Sequence, residues 1–241
     1  MPPAYRSRYS RGRCRTWKNV DLRRVWQSDR LRSGARQARS RRIGRKMAMA
    51  VEVSINHTLG PTTMEGWLAE EPPSDGSRLE LILGYLCMSP APTLPHQHAA
   101  FRLAIVLDQA ITAAGRSDLH VLPAIAVKLS TAFRTGVIPD VAVVAAPIEG
   151  RASIEPAELL LAVEVWSPGN KRAERETKMA GYAAAGVPYL WIVELPKGKP
   201  VKFTGYRLVE SVYRQEVRVI AGETVSPPAP VPVEVVTAAL R

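Results

Sequence analysis

The stretch "LLLAVEVWSPGNKRAERETK", Leu159–Lys178, constrains this chain more than any other. Its first half is an apolar run of the length and β-branched content of a buried strand. Inside that run stands a carboxylate, Glu164. Burying an ionised carboxylate costs several kcal/mol unless a partner or a metal compensates it. Upstream, "IPDVAVVAAP" reads as a second buried strand, with Asp140 at its start. Turn residues in "PIEGRASIEP" separate the two. A hairpin folded about position 152 would set Asp140 opposite Glu164, on one face. Their neighbours Val141, Ala142, Val143, Val144, Leu161, Ala162, Val163 and Val165 are apolar, as in a sheet covered on both sides. Two facing, desolvated carboxylates repel, which pushes one towards its neutral form. A divalent cation would remove the conflict, and oxygen ligands suit Mg²⁺ or Mn²⁺ rather than zinc.

A lysine joins them by geometry. The strand runs on for about 10 Å beyond Glu164, at roughly 3.3 Å per residue. The chain turns through Ser167, Pro168 and Gly169, and a helix from an Asn170 cap to Gly186 comes back along the sheet. Eight helical residues span about 12 Å, which returns Lys178 to the level of Glu164. Lys171, Glu174, Lys178 and Tyr182 share one helical face. "YLWIVEL" then forms a parallel neighbour through a right-handed crossover.

Elsewhere, "PTTMEGWLAEEP" is a short helix with Thr62 and Glu65 spaced as a capping box. "RLELILGYLCMSP" is a strand pair turning near Gly84. His96–Gly115 is a helix whose buried stripe includes Phe101, Ile105 and Ile111. "HVLPAIAVKLS" and "VIPDVAVVAAP" are strands, and residues 199–225 continue a strand meander. The class is α/β, a mixed β-sheet flanked by helices.

The net charge of +11 over 241 residues is a local property. Residues 1–46 hold 16 Lys or Arg against Asp21 and Asp29, a net +14, which leaves −3 for the rest. That segment lacks periodicity and is too polar to build a core. Its composition fits a nucleic-acid-binding arm or sequence upstream of a start at Met47 or Met49, and the second is the expectation adopted. Three regions follow: 1–46, a basic extension; 47–225, a single domain; and 226–241, a Pro-rich tail expected to be loosely attached. Cys14 and Cys87 form neither a disulfide framework nor a CxxC pair, which points to the reducing cytoplasm. No apolar run reaches the ~20 residues of a membrane span. His96 and His98 lack further ligands near them in sequence, so zinc is not expected there.

"LAVEVWSPGNKRAERETKMAGYAAAGVPYLWIVE", preceded by "IPDVAVV" and "LELILGYLCMSPAPTLPHQ", resembles the Uma-type restriction endonucleases, a bacterial branch of the PD-(D/E)XK nuclease superfamily. The likeness covers about Thr62 to Tyr213. It implies a restriction-endonuclease-like core and an Mg²⁺- or Mn²⁺-dependent endonuclease acting on DNA. Asp140 and Glu164 match the two acids. Lys178 matches the family's helix lysine, standing in for a lysine two places after the acid, where this chain has Trp166. The catalytic set implied is thus Asp140, Glu164 and Lys178, and the metal set Asp140, Glu164 and Glu80. His96 and Tyr182 fall to the cleft. The dense cluster of Lys171, Arg172 and Arg175 falls to DNA binding. Leu83 and Tyr85 replace acidic residues of the family pattern, and Glu174 replaces an aspartate. DNA is the partner, membranes are not, and a homodimer is the assembly allowed. Two other readings stand beside this one: an inactive nucleic-acid-binding module, and a structural or partner-binding protein that clips a cation between its acids.

Overall fold

The computed structural model of the chain describes residues 61–167, 172–220 and 222–241. The basic segment 1–46, the Pro168–Gly169 turn, the Asn170 cap and Lys171 lie outside them. Helix α1 is Met64–Leu68, and its N-cap is Thr63, whose hydroxyl accepts from Gly66 N–H at 3.1 Å. The cap is therefore one residue later than the Thr62 expected. Strands β1 (Arg78–Ile82) and β2 (Tyr85–Ser89) pair antiparallel. Both turn residues, Leu83 and Gly84, have positive φ (51° and 87°), the geometry of a tight hairpin that suits glycine.

Helix α2, Leu94–Ala113, buries Ala99, Leu103, Leu107 and Ile111, an unbroken i, i+4 row. Phe101 lies off that row and is 64% exposed, contrary to its expected place in the buried stripe.

Strands β3 (His120–Pro123), β4 (Ala126–Ser130), β5 (Thr135–Val137) and β6 (Val141–Val144) come next. Each of the two stretches read as one strand is in fact two, in different sheets. The breaks fall at Ala124, with φ of 51°, and at Ile138–Asp140. After β7 (Ser153–Ile154) come β8 (Leu159–Trp166), α3 (Arg172–Ala185) and β9 (Tyr189–Glu194). The chain ends with β10 (Lys202–Val209), β11 (Val212–Ile220), β12 (Thr224–Val225) and β13 (Val235–Val236). One sheet runs β2-β1-β5-β4-β7, a second β11-β10-β9-β8-β6-β3, and β12 pairs with β13.

The central hairpin has the expected register. Val141 faces Val163, Ala142 faces Ala162 and Val143 faces Leu161, before a bulge at Val144. β8 and β9 are parallel. Alternation along β6 and β8 feeds two cores. Val141, Val143, Leu161, Val163 and Val165 pack with α2, while Ala142, Val144 and Ala162 pack with Val127, Leu129, Val137 and Tyr182. The middle strands are thus covered on both faces.

The Pro-rich tail corrects the expectation of loose attachment. Val231, Val233, Val235 and Leu240 are buried in the α2 core. Trp191 Nε1 donates to Pro228 O at 2.8 Å. The prolines cost little entropy to fix, and the valines between them carry the apolar area that docks the segment.

Candidate active site

Asp140 stands one residue before β6. Its N–H donates to Val163 O at 3.0 Å, which prolongs the ladder and turns its side chain to the face of Ala142, Ala162 and Glu164. Asp140 is 3% exposed and Glu164 4%. Helix α3 returns Lys178 to Glu164, as its length requires. Nζ lies 3.3 and 3.4 Å from the two carboxylate oxygens. One turn on, Tyr182 Oη donates to Glu164 Oε1 at 2.8 Å. Lys178 is closest to Glu80, at 2.9 Å, and Glu80 Oε1 also accepts from Ile138 N–H at 2.8 Å. Glu80 therefore ties β1 both to the lysine and to the segment that delivers Asp140.

Asp140 has its own donors. Val165 N–H reaches Oδ2 at 2.7 Å. Oδ1 accepts from His96 Nε2 at 2.7 Å and from the Arg78 guanidinium. His96 comes from the first turn of α2, and its Nδ1 lies 3.5 Å from Ser167 Oγ. Arg78 is absent from the residues singled out in the sequence. The signal available was its spacing, two before Glu80 on a strand, which puts both side chains on one face.

These surroundings set the charges apart. Burial pushes the Asp140 carboxyl up, but the His96 hydrogen bond, the Arg78 charge and Val165 N–H outweigh it and hold it below its ordinary 3.8. Burial pushes Glu164 from 4.5 up to about 7, with Asp140 and Glu80 adding to the rise and Lys178 and Tyr182 opposing it. Burial alone would neutralise Lys178, but Glu164 and Glu80 overcome it and hold the ammonium charged. Burial and the nearby carboxylates keep the Tyr182 phenol protonated, so it stays a donor.

A hard divalent cation takes carboxylate oxygens. Asp140 and Glu164 offer them from one face of paired strands, so the donor chemistry fits. The oxygens already accept from Arg78, His96, Val165, Lys178 and Tyr182, however. Among the described residues no three His, Cys, Asp or Glu side chains are grouped as a ready cation cage. A cation would therefore enter by exchange with protein donors. For Glu80 the contacts differ from the expected metal role, since its partners are Lys178 and a backbone N–H.

The expected basic cluster divides. Arg172 is 90% exposed and pairs with Glu176 at 2.7 Å. Arg175 is engaged otherwise: Nη1 meets Glu194 at 3.0 Å, Nη2 meets Ser167 O at 3.2 Å, and the guanidinium lies over the Trp166 ring at 4.7 Å. It braces the exit of β8 and is not a solvated cation. A cleft of about 410 Å³, counting space open to solvent, reaches Glu80 and Lys178 past Cys87, Met88 and Glu174. No helix among the described residues is long and apolar enough to cross a membrane.

No curated protein matches the chain. Its fold is similar to the crystal structure of a "putative nuclease belonging to DUF820" from Anabaena variabilis ATCC 29413. The TM-score is 0.52 at 17% identity, over 70% of this chain and 90% of that one. The mixed sheets and few helices are those of the restriction-endonuclease-like fold. The family profile of Uma2, described as "Putative restriction endonuclease", matches residues 68–240, the whole span that carries Glu80, Asp140, Glu164 and Lys178. This chain belongs to the Uma2 family.

Proposed function

We propose that the protein is a metal-dependent nuclease that hydrolyses phosphodiester bonds of DNA. Family membership supports nuclease chemistry in general. One observation carries the finer reading: Asp140, Glu164 and Lys178, from three separate elements, converge in a buried cluster. Asp140 and Glu164 would hold Mg²⁺ or Mn²⁺. The chemistry such an ion supplies is polarisation of the scissile phosphate and activation of the attacking water. Lys178 contributes a fixed positive charge. At ~4 Å from a phosphate oxygen it is worth about 4 kcal/mol at an effective dielectric of 20, before desolvation. Glu80 and Tyr182 position Lys178 and Glu164, and preorganisation of this kind is what electrostatic catalysis needs. Arg172, the first residue of α3, would meet a backbone phosphate away from the chemistry, and Lys171, next to it in sequence, is assigned the same role.

The test is cleavage of supercoiled plasmid and single-stranded DNA by purified protein across an Mg²⁺ or Mn²⁺ titration. Cleavage should require the metal and should be lost in Asp140→Asn and Glu164→Gln. Equal rates in EDTA, or wild-type rates from either variant, would refute the proposal. One observation favours a second reading, an inactive DNA-binding module. Lys178, Arg78 and His96 between them already pair with all three acids. Metal-independent DNA binding with no cleavage under any metal would establish that reading.

A further inference from the structure

Among the described residues, Arg78 is the more exposed of the two cations paired with the acidic cluster. Its side chain is 24% exposed, whereas that of Lys178 is 9% exposed and enclosed by Glu80 and Glu164. Lys178 can act on a phosphate from within, but its ammonium is already shared between two carboxylates. Among the described residues Arg78 has one acidic partner, Asp140, and meets it at Oδ1. The other oxygen, Oδ2, is held by Val165 N–H at 2.7 Å, a backbone bond fixed by the strand. Oδ1 accepts from both Arg78 and His96, so a cation that takes this oxygen must displace at least one of them. A guanidinium and a divalent cation repel each other, so a cation on Oδ1 disfavours the Arg78 contact there. Displaced from it, Arg78 remains tethered to β1 at the edge of the cluster. It carries a planar fork of donors matched to a phosphate.

We infer that Arg78 is a substrate-binding residue with two alternative partners: Asp140 before a divalent cation binds, and a phosphate oxygen of the DNA strand afterwards. The inference rests on the metal-dependent nuclease reading and deepens it. It makes the metal and Arg78 competitors for Asp140 without DNA, and makes Arg78 and the metal partners in holding DNA. A purely structural ion pair would compete with the metal for Asp140 but would take no part in holding DNA.

The experiment uses the full chain and the variants Arg78→Gln and Arg78→Lys, each checked for a cooperative thermal transition. Mn²⁺ affinity is measured without DNA by calorimetry. DNA affinity is measured in Ca²⁺, under conditions that give no cleavage, across a salt series. Arg78→Gln should bind Mn²⁺ several-fold more tightly, because its competitor is gone. It should bind DNA roughly tenfold more weakly, the scale of one charged hydrogen bond. Its salt slope should drop by about 0.9, the value for one phosphate contact. Arg78→Lys should keep the salt slope and lose part of the DNA affinity, since an ammonium does not replace the fork. Should Arg78→Gln not fold, the lysine variant decides alone, and unchanged DNA affinity in it overturns the inference. Unchanged or weaker Mn²⁺ binding in Arg78→Gln overturns it, and so does an unchanged salt slope. A wild-type protein that binds neither Mn²⁺ nor DNA refutes the nuclease reading together with this one. Wild-type binding of both, matched by Arg78→Gln, refutes the role of Arg78 alone.

Discussion

Replacing Glu164 by glutamine should make the metal-free protein more stable at neutral pH and remove much of its pH dependence. Burial raises the Glu164 carboxyl from 4.5 to about 7 in the folded state. Between those values the folded protein keeps a proton that the unfolded chain has released. The stability linked to that proton is full below pH 4.5 and is lost as pH rises through about 7. The gap corresponds to about 3 kcal/mol, at 1.36 kcal/mol per pKa unit. Glutamine is nearly isosteric and leaves Lys178 its shorter contact, 2.9 Å to Glu80. Urea unfolding in EDTA at pH 5 and pH 8 measures the effect. The stability of Glu164→Gln minus that of wild type should rise by roughly 2–3 kcal/mol from the lower pH to the higher, slightly less than the full gap because at pH 5 the unfolded carboxyl is already partly ionised, and saturating Mn²⁺ should restore the wild type alone. Parallel pH profiles for the two proteins would refute the assignment of Glu164 as the strained acid.

Asp140 should behave in the opposite sense, because its carboxyl is held below 3.8 by His96, Arg78 and Val165 N–H against the cost of burial. Its stabilisation is present above the ordinary value and lost as pH falls through the lower one. Asp140→Asn should therefore destabilise the metal-free protein at pH 7 by roughly 1–3 kcal/mol, read by the same unfolding. Lys178→Ala should cut the single-turnover cleavage rate by about 10²–10³-fold at saturating DNA, the scale for one preorganised charge-stabilising group, with a modest change in affinity. Lys178→Arg should not restore the rate, which rapid-quench kinetics would show. Arg172→Ala should lower the salt slope of DNA binding by about 0.9 without moving the melting temperature. Arg175→Ala should instead lower the melting temperature, because it strips cover from Trp166 and leaves Glu194 without its partner.

The site was legible where the chain's own periodicity sets the geometry. Strands have a period of two, so one turn between two apolar runs decides whether Asp140 and Glu164 share a face. Observed pairs such as Val141 with Val163 show that register. The return of Lys178 followed from strand rise and helix rise alone. The partners of Asp140 were not legible in that way. Arg78 is 62 residues away in sequence and His96 is 44, and no local pattern measures such separations. Nor did the sequence show that the strands divide between two sheets, since Ala124 takes a positive φ that its residue type does not advertise. The tail was misread because proline content suggested a loose segment, while its alternating valines fit the α2 core. Phe101 was misassigned because a helix with Ala99, Leu103, Leu107 and Ile111 in register already has a complete buried row.

Calorimetric titration of Mn²⁺ into the wild type, Asp140→Asn and Glu164→Gln at pH 6.5 in two buffers of different ionisation enthalpy tests the central claim most directly. Near its pKa of about 7, Glu164 is partly protonated at that pH, so an ion that takes its oxygens must expel the proton. The account predicts saturable binding to the wild type with the release of a fraction of a proton per ion. It predicts binding weakened at least tenfold in both variants, with no proton release from Glu164→Gln. Equal Mn²⁺ affinity in all three proteins, or none in the wild type, would contradict it.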